Sequence, residues 1–440
     1  MKLKTLYVCQ QCSFQNPKWT GKCPECQAWN SLIEEVVDLD KGKIGKSNAN
    51  NPSAGLRALA PRQAPQSLQT EPSKKSRLMT QIGEWDQVLG GGMVHGALVL
   101  LSGEPGIGKS TLTLQVVNKM AEQGLKTLYI TGEESVEQVS ARAKRLGITS
   151  SNLQLLYESS LEAILETIEK HKPEFLVLDS IQVIASEQMP GLAGSISQVK
   201  AVTEAVMMTI KTLNIPTLLI GHVNKEGQIA GPKVLEHLVD TVLLLEGTRD
   251  QEFRLLRALK NRYGNVSEVG LFAMSGEGME EMKNPGERVL KNRPTGAFGT
   301  CLTMSMEGNR PILMEVQALV SATPFGYPKR ASSGFDRNRL ELLIAVLQKH
   351  TSLNLADQDI YINVVGGLRL NDPSADLAVC MAIASSSFKK NIPEDWVVFG
   401  EVGLTGEIRS NSKDQAKLSQ IKKMGLRLHQ ITRLQNGFNL

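Results

Sequence analysis

No apolar run in these 440 residues reaches the roughly 18 that a membrane-crossing helix needs. The start, Met1-Lys2-Leu3-Lys4, leads into polar sequence without the apolar core of a secretory signal. These two absences set the expectation of a cytoplasmic protein with no membrane partner. No internal repeat is visible, which speaks against a stacked-repeat architecture. Charge of one sign is not in excess: 49 Lys and Arg against 45 Asp and Glu leave +4. Such a balance admits nucleic acid as a partner without arguing for it. Cysteine is scarce, six in all, and four of the six fall within the first 26 residues. That clustering speaks against a disulfide framework and for a metal site in a reducing compartment.

Those four open what is present. Cys9-x2-Cys12, ten residues, then Cys23-x2-Cys26 suits a tetrahedral Zn²⁺ held by four thiolates. Too few apolar residues lie between the pairs to fold a small knuckle-like hairpin without metal. Redox chemistry is the alternative, opposed by the lack of a thioredoxin-like βαβ pattern around them. Trp19 and Trp29 are expected to pack over the metal rather than to stack on DNA. The zinc module is assigned to residues 1–35. Residues 36–77 are rich in Lys, Gly, Ser, Asn, Pro and Gln, bury too little to offset ordering entropy, and read as a flexible linker.

At this length two or three domains are expected. Residues 78–285 alternate strand and helix patterns, which predicts an α/β domain: a parallel sheet with helices on both faces. Its centre is Gly103-Glu104-Pro105-Gly106-Ile107-Gly108-Lys109-Ser110-Thr111, between the apolar strand pattern Ala97–Leu101 and a helix pattern Leu112–Met120. This is the phosphate-loop pattern in the strand–loop–helix context it requires. Loop N–H groups and the helix N-terminus would cradle ATP, Lys109 would reach the β- and γ-phosphates, and Ser110 would hold Mg²⁺. Lys126–Thr131 is a strand followed by Gly132-Glu133-Glu134-Ser135, which places a carboxylate to activate water. Phe175–Ser180 is a strand ending on Asp179, the expected outer-sphere Mg²⁺ partner. Thr217–His222 is another, ending on His222, a candidate γ-phosphate sensor. Ser186–Ser197 and Asn224–Lys233 read as mobile segments. In Phe253–Gly264, Arg254, Arg257, Lys260 and Arg262 recur among apolar residues, a pattern that a solvated basic edge also fits.

The order zinc module, phosphate loop, Glu strand, Asp strand and Lys260-Asn261-Arg262-Tyr263-Gly264 resembles the RadA (Sms) family of bacterial DNA repair proteins, RecA-like and DnaB-related motors. The family usually carries Phe where Tyr263 stands. The resemblance implies Glu133 as the water-activating base, with Glu134 second. It implies DNA-contacting loops at the two mobile segments. It further implies that Lys260 and Arg262 act on a neighbouring subunit's ATP, in a closed ring, most simply a hexamer. Single-stranded or branched DNA and the RecA recombinase would be the partners, branch migration the activity, and the nucleoid the place of work.

Residues 286–440 resemble the α+β protease domain of Lon. Pro373-Ser374-Ala375-Asp376 matches the turn bearing its nucleophilic Ser, and Val398–Arg409 the strand and turn before its catalytic Lys. Counting onward puts Gln415 at that lysine's position, with Lys413 and Lys417 on other helix faces, so the expectation is a domain without peptidase activity. Lys329, Arg330, Arg337 and Arg339 would then serve as a ring-stabilising or DNA-contacting platform. An ATP-dependent protease and a non-motor ATP switch of the KaiC type remain the rival functions.

Overall fold

The structure is a computed structural model and describes residues 3–9, 14–25, 27–29, 31–38, 77–221, 233–247, 253–282, 285–291, 293–324, 326–366 and 369–434. Cys12, Cys26, His222, nearly all of the expected linker and most of the segment 224–233 lie outside them.

The chain opens with a three-stranded antiparallel ribbon: β1 (Leu3–Cys9), β2 (Gln15–Asn16) and β3 (Leu32–Asp38), in the order β2-β1-β3. β3 runs three residues past the expected module boundary at 35. It stays paired to β1 through Leu3↔Asp38, so the small hairpin of the sequence reading is instead a sheet.

A nine-stranded sheet follows, in the order β12-β11-β10-β9-β4-β8-β7-β5-β6. Its strands are β4 (Leu98–Gly103), β5 (Thr127–Thr131), β6 (Leu153–Tyr157), β7 (Phe175–Asp179), β8 (Thr217–Ile220), β9 (Thr241–Glu246), β10 (Phe253–Asn261), β11 (Val269–Ser275) and β12 (Gly278–Glu281). β4 to β9 are mutually parallel, and β10 joins β9 antiparallel. All six residues of β4 are buried, as a strand covered on both faces must be. Alternation sorts its side chains: Val99 and Leu101 enter one apolar cluster, Leu98 and Leu100 the other. The first cluster takes Leu112, Val116, Val117 and Met120 from α2 (Lys109–Glu122), which follows the short α1 (Gly83–Val88). α3 (Val136–Arg145) adds Val139 and Ala143 to the same side. The other cluster takes Ile164 and Ile168 from α4 (Leu161–His171) and Val199, Val202 and Val206 from α5 (Ile196–Leu213). Helices thus cover both faces of the sheet, as the sequence pattern predicts. Truncating Leu100, which is wholly buried, to Ala would cost about 2–5 kcal/mol.

β4 lies next to β8, yet the chain leaves it for β5, two strands further on. Open α/β sheets of this kind take ligands beyond the carboxyl ends of their strands, here those of β4, β7 and β5.

Met282–Leu440 forms a second compact unit, which also takes in Asp250–Phe253 and Ser267–Leu271, a grouping no linear boundary anticipates. After α6 (Lys233–Leu238) in the first unit, the helices continue with α7 (Pro285–Lys291). A six-stranded mixed sheet is built from β13 (Thr300–Glu307), β14 (Arg310–Ala322), β15 (Arg330–Ser333), β16 (Gln358–Val364) and two short strands near Trp396 and Arg427. α8 (Arg337–His350), α9 (Asp376–Phe388) and α10 (Asp414–Lys423) complete it. Eleven residues of α9 are buried, from Asp376 to Ser386, which makes it the core helix of this unit.

Candidate active site

Strand β4 delivers the chain to the phosphate loop, and α2 starts at Lys109. The residue before it, Gly108, has φ 113° and caps the helix without a side chain. That left-handed conformation is what calls for glycine; a Cβ there would also press on the Met279 methyl at 2.1 Å, though that flexible side chain could shift. No acidic residue occupies the first turn of α2. Its leading N–H groups and positive dipole end therefore suit a phosphate.

Lys109 is buried, and its ammonium donates to the carbonyls of Gly103 (2.8 Å) and Glu104 (3.0 Å). Burial lowers its pKa to about 8, against the opposing pull of Asp179 and Glu133. Those two carboxylates arrive from neighbouring strands. Thr131 of β5 is paired with Asp179 of β7, and the Gly132 N–H donates to the Asp179 carbonyl at 2.8 Å. The stitch sets Glu133 beside the end of β7. Asp179 is buried and its carboxyl is raised chiefly by that burial. Hydrogen bonds from Tyr129 and Ser110 oppose the rise, and the charges of Glu133 and Glu134 add to it. The Ser110 contact joins the hydroxyl and the carboxylate that the sequence reading assigns to Mg²⁺, a pairing of hard oxygen donors that fits such an ion.

The two adjacent glutamates part company. Glu134 faces Arg142 of α3 at 2.6 Å, while its backbone N–H and carbonyl both bond the Thr131 hydroxyl at 3.1 and 2.8 Å. Glu133 accepts a hydrogen bond from Ser180, the residue after Asp179. Tyr129 and Ser180 escape the sequence reading. Their signal would have been polar groups on a strand otherwise apolar on both faces.

The five-residue run 260–264 lies elsewhere. Lys260 pairs with Val242, and Val242 with Leu100, three residues before Gly103. Lys260 thus stands about 10 Å behind the end of β4, on the side of the sheet away from the phosphate loop. Its ammonium donates to the carbonyls of Glu236 (2.6 Å), Val239 (2.8 Å) and His237 (3.4 Å), at the end of α6. Burial, then the neighbouring Arg262 charge, lowers its pKa. Arg262 is half exposed and pairs with Asp240 at 3.3 Å. The Asn261 side-chain oxygen Oδ1 accepts from the Tyr263 N–H at 3.0 Å and so closes the turn. A Cβ on Gly264 would come within 2.8 Å of the Asn261 amide, which accounts for the glycine. Of the other basic residues in this stretch, Arg254 is buried and donates to the Ile107 carbonyl (3.3 Å), and Arg257 pairs with Glu246 (3.2 Å). Neither is a solvated edge charge.

In the ribbon, Cys9 and Cys23 are buried in one small cluster with Leu32, Tyr7 and Phe14. The Cys9 N–H donates to the Phe14 carbonyl and the Cys23 N–H to the Ala28 carbonyl, both at 2.9 Å. Two cysteines in one cluster suit a thiolate metal site, to which Cys12 and Cys26 would add the remaining ligands. Among the described residues alone no group of three ligands assembles. Trp19 and Trp29 are 55% and 73% exposed, contrary to the expectation that they cover the metal. Leu32, Tyr7 and Phe14 supply the cover instead.

The second unit corrects another expectation. The Lys417 ammonium, fully buried, donates to the Ser374 hydroxyl and to Asp372 (2.8 Å). Gln415, assigned to this position by counting, is exposed. The turn before α10 sets the phase: the helix begins at Asp414, and Lys417 and Ile421, four apart, face inward. Burial alone would raise the Asp372 carboxyl, but bonds from Lys417 and the Ser374 N–H hold it below its ordinary value. Of the expected basic platform, Arg339 is tied to Asp376. Arg330 donates to the carbonyls of Gln358 and Leu355.

Comparison with known proteins agrees with this geometry. A family model described as ATPase: KaiC matches residues 78–161, and one described as rubredoxin metal binding domain matches 7–34. The DNA repair protein RadA of Bacillus subtilis is 46% identical over 97% of this chain and 92% of its own length. RadA of Aquifex aeolicus is 44% identical over 97% of this chain and 93% of its own. For RadA of Streptococcus pyogenes serotype M1 the figures are 45%, 96% and 91%. With identity at this level along nearly the whole length of both chains, from the cysteine ribbon through the phosphate loop to the second unit, the chain belongs to the RadA family of DNA repair proteins.

Proposed function

We propose that this chain is a DNA-stimulated ATPase of DNA repair that works as a ring, most simply a hexamer, on single-stranded or branched DNA. In this reading it promotes branch migration of recombination intermediates alongside RecA. The observation that carries the reading is the split between two sets of residues. Lys109, Glu133 and Asp179 meet at the carboxyl ends of β4, β5 and β7, whereas Lys260 and Arg262 sit at the opposite ends of neighbouring strands. A side chain about 10 Å behind its own phosphate loop would reach a nucleotide on a neighbouring subunit rather than its own. ATP bound between subunits in this way is the arrangement of a ring motor.

Within the site, Lys109 would bind the β- and γ-phosphates and stabilise charge on the transferring group. Glu133 would orient water and take its proton. Ser110 and Asp179 would hold Mg²⁺, whose part is to neutralise phosphate charge. The zinc ribbon would serve as a module for contacts with DNA or RecA. Turnover measured with and without single-stranded DNA tests the proposal. Several-fold stimulation is expected, and an unchanged rate favours a KaiC-type switch.

A protease reading has one observation in its favour, the contact between Lys417 and Ser374. It is opposed by burial: Ser374 is 2% exposed, which closes its hydroxyl to a peptide substrate.

A further inference from the structure

We propose that Ser180 is the positioning residue for the base, fixing Glu133 rather than Glu134 in the phosphate site. The inference rests on the reading of Glu133 as the group that activates water.

Residue type and spacing offer two adjacent carboxylates at the end of β5, which only the family resemblance ranks. The surrounding donors choose. Glu134 is turned toward α3, where Arg142 holds its side chain at 2.6 Å and Thr131 brackets its backbone. A carboxylate committed to an arginine is a poor proton acceptor. Glu133 is directed the other way by Ser180, whose hydroxyl donates to its Oε1. Ser180 is completely buried, so its hydroxyl must find an acceptor within the protein, and an anionic oxygen is the strongest one in reach. Its backbone is equally constrained. The Ile181 N–H donates to the Ile220 carbonyl at 3.1 Å, and the preceding Asp179 carbonyl receives the Gly132 N–H at 2.8 Å. A donor at the end of β7, fixed by β8 on one side and by the residue after β5 on the other, therefore aims the carboxylate that follows β5.

Asp179 is served separately, by the phenol of Tyr129 and the hydroxyl of Ser110. Each of the two acidic groups has its own donor, and the roles stay separate: Asp179 toward the metal, Glu133 toward water. Loss of aim by about an ångström at such a group costs on the order of 10²-fold in rate.

The test is a double-mutant cycle in the full-length chain, read by steady-state ATP hydrolysis at saturating single-stranded DNA. Ser180→Ala is expected to lower kcat by about 10- to 100-fold with KM for ATP unchanged. Ser180→Thr, which keeps the hydroxyl, is expected to recover most of the rate. In a Glu133→Gln background, Ser180→Ala should cost nothing further, because the group it aims is already lost. An equal fold-loss in both backgrounds, or a wild-type kcat in Ser180→Ala, overturns the proposal. Binding of a fluorescent ATP analogue and the melting temperature separate a folding defect from a positioning one. Wild-type turnover in Glu133→Gln itself would defeat the assignment of the base, a result distinct from any outcome for Ser180.

Discussion

Lys109 shows how one residue ties burial to function. Its free-state pKa of about 8 follows from desolvation that Asp179 and Glu133 only partly offset. Polyphosphate binding needs the ammonium form, and bound phosphates stabilise it. Below about pH 8 the lysine is already charged, and affinity for ATP is expected to be flat. Above that value binding must first draw a proton from solvent, so affinity falls by up to about tenfold per pH unit. Titration calorimetry near pH 9 in two buffers of different ionisation enthalpy should show uptake of a proton in the wild type and none in Lys109→Arg. Identical heats in both buffers would contradict the assignment.

Substitutions at the same site separate binding from chemistry. Lys109→Ala is expected to abolish hydrolysis, and Glu133→Gln to bind ATP normally while losing about 10²–10⁴-fold in kcat. If Glu134→Gln shows the loss instead, the base is the other carboxylate.

The elements differ in how far sequence exposes them. The phosphate loop is legible because its requirements are local: glycines, a lysine, and a strand and helix on either side. The choice between Glu133 and Glu134 rests on Ser180, 47 residues away, and on Arg142 one helix further on, so no spacing rule reveals it. The α10 reading failed by two residues because the turn before Asp414 fixes helix phase, and phase alone decides whether 415 or 417 faces Ser374. Trp19 and Trp29 were misread because Leu32, Tyr7 and Phe14 already fill the small core around Cys9 and Cys23.

Two element-scale predictions follow from these particulars. The ribbon should hold about one zinc per chain by metal analysis, and Cys23→Ser should lower that content sharply while ATP binding persists. A full zinc complement in the variant would count against the thiolate site. In the second unit, Ser374 and Lys417 are expected to be structural. Casein should remain intact with the wild type, and Ser374→Ala should leave DNA-stimulated turnover within about twofold. Lys417→Ala should destabilise the unit by about 3–5 kcal/mol, by stranding Asp372 in the interior. Proteolysis that disappears in Ser374→Ala would restore the protease reading.

For the whole molecule, the account depends on where Lys260 and Arg262 act. In the single chain Lys260 binds the carbonyls ending α6 and Arg262 binds Asp240. Both lie behind their own phosphate loop, and the proposed ring would carry them to a neighbouring subunit's nucleotide. The most direct test mixes wild-type and Lys260→Ala subunits at fixed total concentration with saturating single-stranded DNA and follows ATP hydrolysis across the mixing ratio. The account predicts a loss steeper than the mutant fraction, because each altered subunit disables its neighbour's site and interrupts the ring. A loss strictly linear in mutant fraction would show that the residue serves only its own chain and would contradict the account.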